Sequence, residues 1–225
     1  MSMADTLLFM VLPYVSLAVF VTGHVYRYTM KGYDWNAQST ELLDKGSLRY
    51  GITVFHWGIL ATVAGHAGGL LIPQRYYDAV GISGQAHTRL AVYSGFVIGA
   101  LAFVGLAMLL IRRWMRPRVR ATTSANDLIT LILLLLTVGL GLYNVAFGHF
   151  YVLDTIAPWI RGIVFLSPDP SLMSKVPVSY KAHIVAAFIA FGFSPFSRLV
   201  HIWSAPVTYL IRSHIVYRRL PRVGG

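Results

Sequence analysis

The 225-residue sequence contains no cysteine. Without a thiol, the chain cannot form disulfides, thiolate zinc sites or cysteine-ligated iron–sulfur clusters, and it cannot attach haem through a C-x-x-C-H motif. Any metal site must therefore use histidine, methionine or carboxylate ligands. Carboxylates are themselves scarce, because eight Asp and Glu residues stand against nineteen Lys and Arg residues.

Charged residues of both signs make up only 12% of the sequence, which is about half the share that a soluble domain carries. Hydrophobic residues make up 56%, and several apolar runs reach the roughly 20 residues that a helix needs to cross a bilayer. This composition predicts an integral membrane protein. The net charge of +11 does not indicate nucleic acid, because basic residues of membrane proteins gather on their cytoplasmic side.

Five apolar segments predict an all-α integral membrane bundle that forms a single domain over residues 1–225. Ser124 and Asp127 offer caps at the start of the fourth segment, and prolines mark the end of the second and interrupt the fifth. Residues 149–179 contain four prolines and are predicted to form a long loop. The predicted spans cover about 6–26, 51–72, 89–111, 127–147 and 180–203.

The distribution of Lys and Arg predicts the orientation of the bundle. Most of these residues fall in the first connection, in the third connection (RRWMRPRVR, 112–120) and in the tail after the fifth span. The positive-inside rule then places the N-terminus outside and the C-terminus in the cytoplasm.

Histidines within the spans are the first candidates for chemistry. Of the eight histidines, His56 and His66 lie in the second span, and His183 and His201 lie in the fifth. Because these spans run antiparallel, matching by depth pairs His66 with His183 towards the outside and His56 with His201 towards the cytoplasm. Two pairs at two depths indicate two b-type haems, each with one imidazole on either side of its iron.

The spacing within the two spans adds a structural prediction. Ten residues of helix rise about 15 Å, whereas eighteen residues rise about 27 Å. The two pairs can therefore meet only if the fifth span is tilted or bent, and Pro195 predicts a bend. Glycines in the second span either leave room for a flat macrocycle or allow close helix packing.

Other interpretations of the histidines stay open at this point. Intramembrane histidines can hydrogen-bond between helices, and they can relay a metal ion or proton in a haem-free transporter. The spans contain almost no carboxylates, which argues against the transporter, and a passive membrane anchor would not need four paired histidines. His24 and His149 lie at plausible depths and compete as ligands.

Several stretches of the sequence resemble the gamma subunit of respiratory nitrate reductase, the membrane cytochrome b of that complex. The resemblance covers nearly the whole length. The matching stretches are GHVYRY (23–28), STELLDKGS (39–47), VFHWGILATVAGH (54–66), RPRVRATTSANDLI (116–129) and FSPFSRLVHIWSAPVTYLIR (193–212).

The resemblance implies a five-helix bundle with two b-type haems in a bacterial or archaeal cytoplasmic membrane. His56 and His201 match the family's ligands for the haem nearer the cytoplasm, and His66 and His183 match those for the haem nearer the outside. It further implies that quinol is oxidised beside the outer haem. Electrons then pass to an iron–sulfur beta subunit and to a molybdenum-containing alpha subunit that reduces nitrate.

The resemblance also implies a quinol site in the outer half of the bundle, for menaquinol or ubiquinol, contacted by His66, Gly65 and His87. Some family members carry a lysine after the second span where this sequence has Ala86, so His87 or Arg89 is expected to supply that polar contact.

Arg198 is expected to pair with a haem propionate, with snorkelling towards the cytoplasm as the alternative. A related cytochrome b subunit of a heterodisulfide-reductase-like or sulfur-metabolising complex is the nearest alternative function.

Overall fold

The computed structural model describes residues 3–31, 43 and 45–204. Within these ranges the regular structure is helical, with no strand. Part of the STELLDKGS stretch and the basic tail from residue 205 onward, on which part of the orientation prediction rests, lie outside the described residues.

The helices follow the predicted spans closely at the start of the chain and less closely at its end. A π-helical turn over Leu7–Val11 lies within α1, and another over Ala67–Leu71 continues α2. The helices are α1 (Met3–Met30), α2 (Lys45–His66), α3 (Gln74–Ala79), α4 (Gly84–Met115), α5 (Pro117–Ala121), α6 (Ala125–Phe147), α7 (Ile156–Val164), α8 (Val178–Phe193) and α9 (His201–Ser204).

Four helices of the described chain are long and apolar enough to cross a membrane. They correspond to the first four predicted spans. Their bounds are Met3–Met30, Leu48–Leu71, Gly84–Met115 and Ala125–Phe147.

The fifth predicted span is not one continuous helix. The α-helix α8 has 16 residues and ends at Phe193, and the chain passes through 3₁₀ turns over Ser194–Phe196 and Arg198–Val200 before α9 begins. Proline removes a backbone donor and interrupts the helix, so the bend predicted near Pro195 is confirmed. We call residues 194–200 the helix break.

Side chains from two neighbouring helices satisfy backbone carbonyls of the helix break. Arg27 Nη1 of α1 donates to the Pro195 carbonyl at 2.7 Å and to the Ser197 carbonyl at 3.1 Å. Asn126 Nδ2 of α6 donates to the Phe196 carbonyl at 2.5 Å. Irregular backbone at membrane depth requires such partners, because lipid supplies no hydrogen bonds.

The long helices pack in the order α1, α8, α6, α4 and α2, each along the next. The closest approach is between α2 and α4, where glycines replace side chains. A Cβ added at Gly58 would lie 2.4 Å from the backbone nitrogen of Ala102, and one at Gly105 would lie 2.4 Å from that of Phe55. Gly58 therefore serves close helix packing, which is one of the two roles considered for it.

The predicted start of α6 is confirmed. Ser124 is the N-cap, and its Oγ accepts from the Asp127 backbone nitrogen while the Asp127 carboxylate accepts from the Ser124 nitrogen. This reciprocal pair is a capping box, with aspartate in the place usually taken by glutamate or glutamine.

The prediction of a long loop over residues 149–179 is wrong in part, because α7 lies within it. This helix is amphipathic and buries Ile156, Trp159 and Ile163. Trp159 Nε1 donates to the Phe9 carbonyl of α1 at 2.9 Å, and both side chains belong to a buried cluster that includes Ile184 of α8. The segment thus closes one end of the bundle.

Candidate functional site

Two pairs of neighbouring histidines join α2 to α8 and to α9, which follows the helix break. The ring centroids of His56 and His201 are 5.9 Å apart, and those of His66 and His183 are 6.1 Å apart. These are the two pairs that depth matching predicts. His24 instead packs its ring against Phe20 of its own helix, with centroids 4.4 Å apart.

Hydrogen bonds fix the tautomer of all four rings. Because a carbonyl oxygen can only accept, each bonded Nδ1 must carry the proton, and the lone pair lies on Nε2. This is the arrangement of a metal-binding imidazole whose second nitrogen is held by the protein. The Nδ1 atoms of His56, His66, His183 and His201 donate to the carbonyls of Ile52, Thr62, Thr137 and Arg198 at 2.8, 2.8, 2.9 and 2.5 Å.

The separation of the rings fits one iron atom between the members of each pair. A histidine nitrogen binds a transition metal at about 2 Å, so two imidazoles on opposite sides of one ion have centroids about 6 Å apart. In the part of the chain that the structure describes, no three His, Asp or Glu side chains could share a metal ion. Each pair could offer two imidazole nitrogens to one iron, so the residues present fit b-type haem.

The His183 ring is positioned by α6 rather than by its own helix. Its Nδ1 donates to the Thr137 carbonyl across 46 residues of sequence. Gly141 lies one turn further along α6, and a Cβ there would lie 2.9 Å from His183 Cε1 and 3.3 Å from Nδ1. The missing side chain at Gly141 therefore allows the ring to reach Thr137.

Replacing Gly141 by alanine is expected to push the His183 ring away from the Thr137 carbonyl. Overpacking of this kind costs about 1–3 kcal/mol, and it should disturb the centre held by His66 and His183 more than the other one. Low-temperature absorption spectra and haem content of the purified variant measure the effect. Gly139→Ala is the control, because its Cβ would meet Phe103 at 3.2 Å instead. Equal spectra for both variants would contradict the role of Gly141 in positioning His183.

Arg198 lies in the helix break with its guanidinium against the Asp127 carboxylate of α6. Its Nε donates to Oδ1, and its Nη2 donates to Oδ2 at 3.0 Å. Arg113 Nη1 approaches the same Oδ2 at 3.3 Å. The pairing of Arg198 with a haem propionate stays a prediction, and the structure adds Asp127 as a protein partner.

His87 is buried, and it lies in the first turn of α4. Its Nδ1 donates to Gln74 Oε1 at 2.8 Å, while Gln74 Nε2 donates to Asp78 Oδ1 and to the Ile82 carbonyl, each at 2.9 Å. Because the Gln74 amide nitrogen faces two acceptors, its oxygen faces His87, and His87 Nε2 carries the lone pair. His87 is therefore a buried helix residue and not a solvated loop residue.

His87 Nε2 faces the π-helical turn that follows His66. A Cβ added at Gly69 would lie 3.7 Å from this nitrogen, and Tyr77 stacks on the His87 ring with centroids 4.3 Å apart. At Gly65, by contrast, a Cβ would meet no described atom within 4 Å. His66, Gly65 and His87 thus border one end of α2.

Sequence reasoning missed the groups that hold these histidines in place. Thr137, Gly141 and Asp127 act on residues 42 or more positions away, through contacts that no local pattern encodes. Gln74 had one usable signal, because it directly follows the stop signal at Pro73 and so lies in the connection that leads towards His87.

Helix packing and site geometry together define a helical membrane protein that carries two pairs of neighbouring histidines suited to b-type haem. Family comparison agrees with this class. The model of the nitrate reductase gamma subunit family matches residues 5–220. The chain therefore belongs to the nitrate reductase gamma subunit family.

Individual relatives support the same assignment. The nitrate reductase gamma chain of Bacillus subtilis (strain 168) is 42% identical over 96% of this chain and 99% of its own length. The respiratory nitrate reductase 1 gamma chain of Escherichia coli (strain K12) is 33% identical over 97% of this chain and 99% of its own length. The protein is thus a membrane subunit of a respiratory nitrate reductase, an oxidoreductase that contains other subunits.

Proposed function

We propose that the chain is the quinol-oxidising, di-haem cytochrome b subunit of a respiratory nitrate reductase. It would carry electrons from membrane quinol through two b-type haems to an iron–sulfur beta subunit and so to a molybdenum-containing alpha subunit. The observation that carries the proposal is the geometry of the two histidine pairs, whose ring centroids are separated by about the distance expected across a bis-histidine iron.

The proposed topology is one domain of five spans in a bacterial or archaeal cytoplasmic membrane. Residues 178–204, which the helix break divides, form the fifth span, with the N-terminus outside and the C-terminus in the cytoplasm. In this orientation the His66–His183 pair lies towards the outside, and the His56–His201 pair lies towards the cytoplasm. Each b-type haem, when bound, supplies a one-electron redox centre.

The quinol site is proposed beside the His66–His183 pair. Oxidation of a quinol releases two electrons and two protons, so the site needs a base that meets a quinol hydroxyl. His87 offers one, because the hydrogen bond from its Nδ1 to Gln74 leaves Nε2 as an acceptor. The open space at Gly65 leaves room for a flat ring on the same side of α2.

Exposure favours His87 over Arg89 as the group that replaces the family lysine. His87 is 6% exposed and faces the end of α2, whereas Arg89 is exposed. A guanidinium can only donate, so it could bind a quinone oxygen but could not take a quinol proton.

A π-helical turn shapes the same end of α2. Tyr77 Oη donates to the Gly68 carbonyl at 3.0 Å, and Arg161 Nη1 of α7 donates to the Leu70 carbonyl at 2.9 Å. Single π-helical turns occur often at functional sites, because they widen the helix locally. Here both donors hold the turn that leads from His66 to Gly69, opposite His87.

Replacing His87 by alanine is expected to slow quinol oxidation by on the order of 10²-fold, the usual contribution of a general base. The measurement is the rate at which a reduced quinol analogue reduces the haem of the purified complex under anaerobic conditions. Haem content should stay at the wild-type level, because His87 is not proposed as a ligand.

Arg89→Ala is the matched control, since it removes a polar residue two positions away. A slow Arg89→Ala variant beside a normal His87→Ala variant would assign the contact to Arg89 instead. Haem that no quinol reduces in the wild-type complex would contradict quinol oxidation by this chain.

A further inference from the structure

A buried carboxylate lies next to the helix break without any role in the proposed electron path. Asp127 is 4% exposed, in the first turn of α6. Its two carboxylate oxygens accept hydrogen bonds from Nε and Nη2 of Arg198, and Arg113 Nη1 of α4 donates to Oδ2 at 3.3 Å. The Asp127 carboxylate is 4% exposed and the Arg198 side chain is 28% exposed, so the pair is largely shielded from water and Asp127 helps to determine where Arg198 lies.

Arg198 connects this carboxylate to His201. The backbone carbonyl of Arg198 accepts from His201 Nδ1 at 2.5 Å. Only Leu199 and Val200 separate the two residues, and all of this segment from Arg198 to Val200 is a single 3₁₀ turn. The side chain of Arg198 is therefore held by α6 while its main chain holds the imidazole.

We propose that Asp127 is a positioning residue for His201, acting through the side chain and the backbone carbonyl of Arg198. The inference rests on the proposed function, in which His201 binds the iron of one haem. An imidazole whose Nδ1–H is firmly held keeps its ring orientation and its basicity, and both properties tune the metal that Nε2 binds.

The four histidines differ in which backbone carbonyl accepts from Nδ1. His183 bonds directly to a carbonyl of α6, and His56 and His66 bond to carbonyls one turn earlier in their own helix. His201 depends on the helix break, where a single 3₁₀ turn rather than a continuous α-helix holds the Arg198 carbonyl. Asp127 adds from α6 a constraint on Arg198 itself, beside the hydrogen bonds by which Arg27 and Asn126 hold the preceding carbonyls of the helix break.

Asp127 also caps α6, so the experiment must separate the two roles. Asp127→Asn keeps an oxygen that can accept from the Ser124 nitrogen, but it removes the negative charge that holds Arg198. Ser124→Ala removes the hydroxyl that caps α6 and leaves the ion pair intact. Asp127→Glu restores the charge on a longer side chain.

The readouts are haem content, low-spin electron paramagnetic resonance signals and midpoint potentials of the two haems in the purified complex. In Asp127→Asn, the haem held by His56 and His201 is expected to lose its low-spin signal or to change its reduction equilibrium at least tenfold, about 59 mV for one electron. The haem held by His66 and His183 should be unchanged. Asp127→Glu should return part of the wild-type signal, and Ser124→Ala should match wild type.

Three results would overturn the inference. Asp127→Asn could keep both haems with wild-type signals and potentials, or Ser124→Ala could reproduce the change. If Asp127→Asn loses both haems, Asp127→Glu decides: a change confined to the haem held by His56 and His201 supports the inference, and an equal change at both haems overturns it. A wild-type complex without b-type haem would instead overturn the proposed function itself.

Discussion

His201→Ala is expected to remove one of two b-type haems and to leave the other in place. The partner imidazole, His56, cannot hold the iron in a six-coordinate low-spin state alone, because the bis-histidine site needs one ligand on each face. Quinol-dependent nitrate reduction should fall to background, since the proposed function places the two haems in series. Pyridine haemochrome assays and reduced-minus-oxidised spectra of the purified complex measure the loss.

The pairing of the histidines can be tested more strictly than by the loss of one haem. His56→Ala should give the same spectrum as His201→Ala, and His66→Ala should give the same spectrum as His183→Ala. The control is His24→Ala, because His24 is buried near Trp203 of α9, with ring centroids 6.2 Å apart. If His24→Ala loses a haem and His56→Ala keeps both, then His24 rather than His56 is the ligand.

The histidine pairs were predictable because they follow from depth alone. In two antiparallel spans, a residue near the start of one span and a residue near the end of the other lie at the same depth. Pro195 predicts the bend that brings His201 to His56. The spacing of the pairs would not match in a straight, upright span, so the sequence predicted a tilt or a bend, and Pro195 favoured the bend. The helix break provides it.

The loop prediction over residues 149–179 failed for a local reason. Pro158 counted as a helix breaker, but it lies in the first turn of α7, where the missing N–H has no intrahelical acceptor. The apolar spacing of Ile156, Trp159 and Ile163 was the available helix signal, because these positions share one face.

The predicted third span was shorter than α4, because it began at Arg89 and ended at Ile111. The helix begins at Gly84 and ends at Met115. Its Ser83 cap accepts from the Ala86 nitrogen at 3.3 Å. A hydropathy window stops at charged residues, whereas the helix continues through Arg112 and Arg113, and the latter reaches Asp127.

Family membership narrows the function more than the geometry does. Paired histidines would also serve a cytochrome b subunit of a sulfur-metabolising complex. Matches that cover 96% of this chain and 99% of a nitrate reductase gamma chain favour the nitrate reductase. The geometry in turn adds what family membership leaves open, since it identifies the residues that orient each imidazole.

Gly105→Ala is expected to separate α2 from α4 and to disturb the neighbouring haem site. The added methyl group would lie 2.4 Å from the backbone nitrogen and 2.6 Å from the Cα of Phe55, and backbone atoms cannot rotate away. Because Phe55 precedes His56, the shift of α2 must move that ligand as well. The cost is about 1–3 kcal/mol or more, as for other overpacked cores.

Gly99→Ala provides the matched control for this prediction, since both glycines are buried on α4. Its methyl group would meet Leu142 Cδ1 at 3.6 Å, an ordinary contact, and the gain in helix propensity from glycine to alanine is about 1 kcal/mol. The midpoint temperature of thermal unfolding in detergent and the amount of haem retained should therefore fall in Gly105→Ala and hold or rise in Gly99→Ala.

Gly58→Ala should resemble Gly105→Ala, because its Cβ meets the Ala102 backbone from the opposite side. Equal stability of all three variants would mean that α2 and α4 do not approach as closely as the structure indicates, and the placement of His56 would then need revision.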